Sequence, residues 1–293
     1  MTTTTLGAEA ADIQHHYDVS NAFYQVWLDS SMSYSCALYT DESDDIETAQ
    51  AAKLDYYRDR LRLQPDARLL DVGCGWGAMM RRVLDGVPAS TAVGLTLSEA
   101  QRDHVAAAED PRIDVRLQSW DEHEPDGLYD GIVSLGAFEH FAKAGIPAAA
   151  RIERYRDFFT RCFAWLPAEG RLCLQTISLE NEVEDADSPV ARFFTEEVFP
   201  NSSLPRLGEI VAASEPWFRL DELRADGDHY ARTCRQWRDR ILDNRDLAEA
   251  ASSPETVNFY RKYLMLSEIH FQRSASNLLR LTFTRRPGVI APR

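Results

Sequence analysis

The sequence predicts an α/β fold: a doubly wound, mostly parallel sheet with an N-terminal helical cover and a C-terminal helical insertion. Three observations predict it. Short apolar segments alternate with helix-patterned ones from residue 68 to residue 178, the pattern of βαβ units. A glycine-rich turn, Asp71-Val72-Gly73-Cys74-Gly75-Trp76-Gly77, joins the first of those strands to a helix. Finally, 293 residues with 44% hydrophobic and 27% charged side chains are ordinary globular composition, long enough to bury one large core.

Taken in order, residues 10–30 read as amphipathic helix, with Tyr17, Phe23, Tyr24 and Trp27 near helical spacing. A second helix is expected from Asp44 to Leu63, with Pro65 as its stop. Arg68–Val72 is a short apolar strand that runs into the glycines, and Trp76–Leu84 is helical. Ala92–Leu95 is the second strand, Ser98 caps a helix reaching Ala107, and Val115–Leu117 is the third strand. Tyr129–Leu135, a long helix over Ile146–Leu166, and a fifth strand over Gly170–Ser178 complete the alternation. Residues 189–293 carry a Pro- and Phe-rich excursion, two helical stretches and the strand-like LLRLTFT. No Gly/Ser-rich linker interrupts the chain, so residues 1–293 read as a single domain. Within it, 1–64 form the helical cover, 65–180 the ligand-binding core, 181–275 an insertion on the substrate side, and 276–293 the last strand and tail.

Charge narrows the partners. Lys and Arg number 32 against 47 Asp and Glu, a formal charge of −15. Nucleic-acid binders need the opposite balance, and an anionic membrane surface is disfavoured for the same reason. No apolar run suits a membrane span, and the polar start MTTTTLGAEAADIQ does not read as a secretory signal. Five scattered cysteines (Cys36, Cys74, Cys162, Cys173, Cys234) without CxxC spacing argue against a disulfide framework and a zinc site, and favour a reducing cytoplasm. His15 and His16 read as surface or capping residues, and no metal site is expected. No G-x-S-x-G elbow occurs. Arg151, Arg154, Arg156 and Arg161 on one helix form either a local basic patch or a solvated face. Self-association is left open.

The glycine turn carries the chemistry. Gly73 and Gly75 let the backbone turn tightly and approach a ligand where a Cβ would clash. A dinucleotide fingerprint wants G-x-G-x-x-G and a carboxylate ending the second strand. This turn reads G-x-G-x-G, and the second strand ends Gly94-Leu95-Thr96-Leu97, so NAD or FAD fits poorly. With Asp71 before it, the turn reads as the D-x-G-x-G-x-G of S-adenosylmethionine methyltransferases.

Four further segments specify the resemblance: His16-Tyr17-Asp18-Val19-Ser20 followed by Tyr34-Ser35-Cys36-Ala37, a Trp inside GCGWG, Gly136-Ala137-Phe138-Glu139-His140-Phe141, and His229-Tyr230 through Gln236-Trp237. In this order they resemble the cyclopropane fatty acid synthase family, including the mycolic acid cyclopropane synthases, over residues 15–285. The resemblance implies a Rossmann-like class I methyltransferase with S-adenosylmethionine as cofactor. Tyr34 and Ser35 would touch its methionyl part, and Gly73 and Gly75 would form the floor. Thr96, Leu97 and Gln101 would hold the ribose, and Trp120 would lie beside the adenine. An indole face offers that stacking area, though a Trp there is equally a core residue.

The same resemblance implies a bound bicarbonate as general base, held by a Cys backbone, a Glu, a His and a Tyr. Cys36, Glu139 and Tyr230 occupy three of those positions. At the fourth, the family's His-Thr-Ile triplet is replaced by Gln175-Thr176-Ile177. A neutral amide can donate a hydrogen bond but cannot become a cation, so bicarbonate is expected to bind less tightly and a methylated or branched product to outweigh a cyclopropane. Each residue has a plainer reading: Glu139 as a helix-start carboxylate, Cys36 as a small buried residue, Tyr230 as a packed aromatic. His140, next to Glu139, joins the candidate catalytic set, as plant alkaloid N-methyltransferases of similar scaffold place Glu-His there. Phe193, Phe194, Phe199, Tyr260, Tyr263 and Phe271 read as a substrate cavity lining or as core. The expected acceptor is an alkene carbon of an acyl chain or apolar small molecule, with a small amine as the alternative. A nucleotide-linked oxidoreductase and a non-catalytic cofactor-binding scaffold stand behind both.

Overall fold

The structure, a computed structural model, describes residues 19–180, 189–199 and 202–289. After α1 (Asn21–Trp27) and α2 (Ile46–Leu61), the chain alternates β1 (Arg68–Val72), α3 (Ala78–Gly86), β2 (Thr91–Thr96), α4 (Glu99–Ala106), β3 (Ile113–Leu117), β4 (Gly131–Leu135), α5 (Ala148–Trp165) and β5 (Arg171–Leu179). There follow α6 (Pro189–Arg192) with a π-helical turn over Phe193–Val198, α7 (Leu207–Ser214), β6 (Phe218–Ala225), α8 (Gly227–Asp243), α9 (Arg245–Ala251), α10 (Pro254–Gln272) and β7 (Ser276–Arg285). One sheet holds all seven strands in the order β3-β2-β1-β4-β5-β7-β6. β1 to β5 run parallel, and β7 is antiparallel to both of its neighbours. The expected doubly wound, mostly parallel α/β architecture is the one observed.

Strand periodicity sorts the side chains onto two faces. Leu70, Val72, Ile132, Leu172 and Leu174 pack beneath α5 and α7 with Phe158, Phe159 and Phe163. Leu69, Val133 and Cys173 face the other way, against Leu54, Tyr57 and Leu61 of α2 and Met79 to Leu84 of α3. A third cluster joins α1 to α8 and α10, through Phe23, Tyr24 and Trp27 against Trp237, Tyr260 and Tyr263.

Differences from the sequence expectations have local causes. The first helix is seen over Asn21–Trp27, capped by the Ser20 hydroxyl; residues 10–18, with Tyr17, and the histidines at 15 and 16 lie outside the described residues. The helix expected from Trp76 begins at Ala78, because Gly75 and Gly77 hold left-handed φ of +54° and +83°. β6 was not expected, since only Phe218 of its FRLDELRA is buried; it pairs with β7 and so adds a strand from within the 181–275 segment. The four arginines of α5 form no free basic patch. Arg151 pairs with Glu209, Arg154 with Asp121, Arg156 with Glu153 and Arg161 with Glu124. All five cysteines are free and buried. Among the described residues, no helix is long and apolar enough to cross a membrane, and no group of acidic, His and Cys side chains converges as a metal site.

Candidate active site

A cavity of about 620 Å³ opens at the carboxyl ends of β1, β2 and β4, where the strand order reverses. That size is within the range of small-molecule sites, and the crevice position is where open α/β sheets take ligands. The glycine turn forms one wall. A Cβ on Gly73, whose φ is +81°, would sit 2.4 Å from the Ala137 Cβ, so only glycine lets β1 and the loop after β4 close on each other. At Gly75 a Cβ would meet nothing within 4 Å, and its φ of +54° is what favours glycine. Trp76 of the same turn donates its indole N–H to Asn21 Oδ1 (2.8 Å), and the Asn21 amide reaches the Ala100 carbonyl (3.3 Å). α1 is thereby tied to both the glycine turn and the start of α4.

All nine residues expected to meet the cofactor (Tyr34, Ser35, Asp71, Gly73, Gly75, Thr96, Leu97, Gln101 and Trp120) line this one cavity, as does His140. The Thr96 hydroxyl donates to Gln101 Oε1 (2.7 Å), which fixes the side chain that ends β2 against the start of α4. Trp120 is buried against Phe141 and Phe158 (5.2 and 5.4 Å between centroids), and the Arg154 guanidinium lies 4.3 Å from its ring centroid. The indole is therefore both core and cavity wall.

The cavity also holds residues that motif reading passed over. Lys53 of α2 is fully enclosed, with its ammonium donating to Ser35 Oγ (3.0 Å). Burial pulls its pKa down to about 8, against the pull of Asp29, Cys36 and Asp71. Asp71 is equally enclosed, and burial pushes its carboxyl up to about 7 in spite of Lys53. Gln50, one turn before Lys53, donates to the Ser33 and Ser35 carbonyls (3.2 and 2.9 Å) and fixes the loop that carries Tyr34. Ile46, Ala49, Gln50, Lys53 and Tyr57 make one buried stripe on α2, and a polar stripe inside a buried face is the signal that could have found them. Arg154 was in view, but as surface charge.

The expected catalytic residues fall in two groups. His140 lines the cavity, hydrogen-bonds Ser202 Oγ through Nδ1 (2.7 Å), and burial lowers its pKa to about 4, so the imidazole is neutral. Glu139, Cys36, Tyr230 and Gln175 sit behind the cavity wall rather than in its lining. Glu139 follows β4 on a 3-10 turn and accepts from the Ile177 N–H through Oε1 (2.6 Å). Burial pushes its carboxyl up to about 7, with the Ile177 N–H and the Thr176 hydroxyl pulling down. Cys36 is enclosed beside Arg280, and burial raises its thiol to about 12, which removes it as a nucleophile. Tyr230, on α8, stacks on Phe271 (4.6 Å) and lies within electrostatic reach of Cys36 and Glu139. Gln175 is fully buried and accepts the Tyr57 hydroxyl (3.2 Å) and the Arg280 guanidinium on Oε1. Of the six aromatics, Phe193, Tyr260, Tyr263 and Phe271 are core, while Phe194 and Phe199 are partly buried against them.

The residues present fit both small molecules that the resemblance implied. The cavity, with its glycine floor and indole wall, suits an adenosyl ligand. Two buried polar atoms, Glu139 Oε2 and Gln175 Nε2, have no hydrogen-bond partner among the described residues, and a small oxyanion that carries one hydroxyl offers the donor and the acceptor that these two atoms lack. The sequence profile described as mycolic acid cyclopropane synthetase matches residues 4–281. Cyclopropane mycolic acid synthase 2 of Mycobacterium tuberculosis (strain CDC 1551 / Oshkosh) is 36% identical over 96% of this chain and 94% of that one. Hydroxymycolate synthase MmaA4 of Mycobacterium tuberculosis (strain ATCC 25618 / H37Rv) matches with the same 36% and the same coverage, 96% and 94%. The crystal structure of mycolic acid cyclopropane synthase CmaA1 complexed with SAH and CTAB superposes with a TM-score of 0.84 at 33% identity, over 96% of this chain and 100% of that one.

Proposed function

The chain belongs to the mycolic acid cyclopropane synthetase family and is an S-adenosylmethionine-dependent methyltransferase, and from that premise we propose that it alkylates an alkene carbon of an acyl chain through a carbocation. The observation that carries the reading is the position of the Glu139-His140 turn: His140 lines the cofactor cavity with its ring against Phe199, and Glu139, its neighbour in that turn, is buried outside the lining. Bound in the cavity, the cofactor supplies an electrophilic sulfonium methyl. The chain's own residues do the rest. Tyr34 and Ser35, fixed by Gln50 and Lys53, hold the methionyl end. Trp120 and the Thr96–Gln101 pair take the adenine and ribose.

Transfer of that methyl to an alkene carbon would leave positive charge on the neighbouring carbon, which the chain's residues must hold. Aromatic faces beside the acceptor would stabilise such a cation, and the rings assigned to that role are Tyr230, stacked on Phe271, and Tyr263 of the same buried cluster. Their packing excludes water, which would otherwise capture it. Glu139 Oε2, buried and without a partner among the described residues, is the acceptor assigned to the departing methyl proton, directly or through an anion that Glu139, Tyr230, Gln175 and the Cys36 backbone would hold. Such an anion, bicarbonate on the family resemblance, would supply a base where the Glu139 carboxyl does not itself line the cavity. Closing a cyclopropane needs that proton to leave.

The test is incubation of the full chain with monounsaturated acyl substrates and cofactor carrying a trideuterated methyl. A methylene-extended acyl product is expected, and the number of deuteriums retained separates proton loss from simple addition. A methylated amine from a mixed substrate pool, with acyl alkenes unchanged, would overturn the reading.

A further inference from the structure

The strongest unassigned feature is a buried arginine in the middle of β7. Arg280 is fully enclosed, and its strand partner across the β5–β7 ladder is Gln175, the residue standing where the resemblance led to a His. Its guanidinium lies 5.9 Å from the Tyr57 ring centroid and makes four polar contacts among the described residues. Nε donates to Asp226 Oδ2 (2.7 Å), one terminal nitrogen donates to Gln175 Oε1, and the other donates to the Ala37 carbonyl (2.8 Å) and lies 3.5 Å from Cys36 Sγ. Asp226 precedes α8, the helix of Tyr230, so one side chain joins three of the segments that carry the catalytic candidates.

The geometry decides what the Gln175 amide presents. Both neighbours on its oxygen, the Arg280 guanidinium and the Tyr57 hydroxyl, are donors, so the carbonyl end must face them. Nε2 then faces away, enclosed and with no partner among the described residues. The loop of Glu139 runs alongside: the Gly136 N–H donates to the Gln175 carbonyl (2.9 Å), and Glu139 Oε1 accepts from the Ile177 N–H (2.6 Å), so the Glu139 carboxyl, reaching in from the turn after β4, meets β5 two residues beyond Gln175. A guanidinium on the amide oxygen also polarises the amide, which strengthens Nε2–H as a donor in a low-dielectric interior. On the other side, the Cys36–Ala37 segment is pinned twice, by Arg280 on the Ala37 carbonyl and by Thr233 Oγ1 accepting the Ala37 N–H (3.1 Å).

Resting on the methyltransferase reading above, we propose that Arg280 and Gln175 together replace the family's imidazole: Gln175 Nε2 is the donor of the anion site shared with Glu139, Tyr230 and the Cys36 backbone, and Arg280 is the positioning residue that orients and polarises it. This runs against the expectation from Gln175 alone, that losing a titratable cation weakens the site. The cation is kept, one layer further back, on the adjacent strand.

The test needs no acceptor. The full chain, saturated with S-adenosylhomocysteine, is titrated with sodium bicarbonate at fixed pH and ionic strength, and melting temperature is followed. The native protein should show a saturable rise. Gln175→Leu, which keeps the Arg280–Asp226 pair, should weaken bicarbonate at least about tenfold, the loss expected on removing a buried hydrogen bond to a charged group, with affinity for S-adenosylhomocysteine unchanged. Arg280→Gln should do the same, and Arg280→Lys should restore part of the response. If Arg280→Gln fails to fold because Asp226 loses its partner, Gln175→Leu decides alone. A native protein indifferent to bicarbonate, or a Gln175→Leu response equal to native, would overturn the proposal while leaving alkene methylation standing. Absence of methyl transfer with an intact bicarbonate response would instead sink the acceptor assignment.

Discussion

Glu139 shows how far a single residue can be read. Its carboxyl sits in a low-dielectric pocket where the charged form is disfavoured, and its pKa is pushed up to about 7. Above the ordinary carboxylate range the unfolded chain has lost this proton while the folded chain retains it. The native state binds more protons, so this group's share of stability falls as pH rises toward about 7 and then levels off. Catalysis runs the other way, since a proton acceptor must be ionised. Glu139→Gln should therefore do three things. It should lower product formation by about 10²-fold or more, the usual worth of a positioned acid–base group. It should remove the rise in rate through about pH 7, and flatten the loss of stability between the usual carboxylate range and that pH. Asp71, in the cavity lining, is pushed into the same window, so the pH profile of Asp71→Asn is needed beside that of Glu139→Gln for assignment. A rate rise that survives in Glu139→Gln would reassign the titration and leave Glu139 as a helix-start carboxylate.

At the scale of elements, β1 to β5 were legible because each is a compact apolar run beside a helix-patterned one, and the glycine turn because φ near +80° demands its residue types. The motif residues of the cofactor cavity followed from the same ordered segments. Lys53, Arg154 and Arg280 escaped, because a lone cation in sequence defaults to solvent. What encloses them is tertiary: Ser35 and Asp71 for Lys53, Trp120 for Arg154, Gln175 and Asp226 for Arg280. Arg280 left its trace as the charge inside LLRLTFT. β6 was missed for the opposite reason, its edge position leaving most of its side chains exposed. α1 is the element whose role depends most on few contacts. Ser20 caps it and reaches the Ala251 carbonyl (2.8 Å), and Asn21 joins it to Trp76 and Ala100. Asn21→Ala leaves a buried indole N–H without its acceptor, at a cost of about 1–3 kcal/mol. The expected outcome is a melting temperature lower by several degrees, and amide exchange in α1 that no longer slows fully when S-adenosylhomocysteine binds. Native-like protection in the variant would show that the aromatic packing of Tyr24 and Trp27 holds α1 by itself.

The whole molecule carries −15 at neutral pH, and its acceptor, on the present reading, is apolar. These two facts constrain how they meet. Many of the guanidinium groups are already paired, including those of α5, so the negative balance is not relieved by a free basic helix. Among the described residues no helix is long and apolar enough to cross a membrane. Anionic headgroups and an acidic surface repel each other over a Debye length of about 10 Å at 0.1 M salt, shrinking to about 3 Å at 1 M. Attraction through exposed apolar side chains such as Leu242, Leu247 and Met265 does not fade with salt in this way. Binding to vesicles of anionic phospholipid should therefore be weaker than to zwitterionic vesicles at low salt. The difference should vanish as salt is raised. Co-sedimentation at several ionic strengths measures it directly. Stronger binding to the anionic vesicles at low salt would mean that the charge is divided, with a basic face concealed inside the negative total, and that acyl substrates are met there.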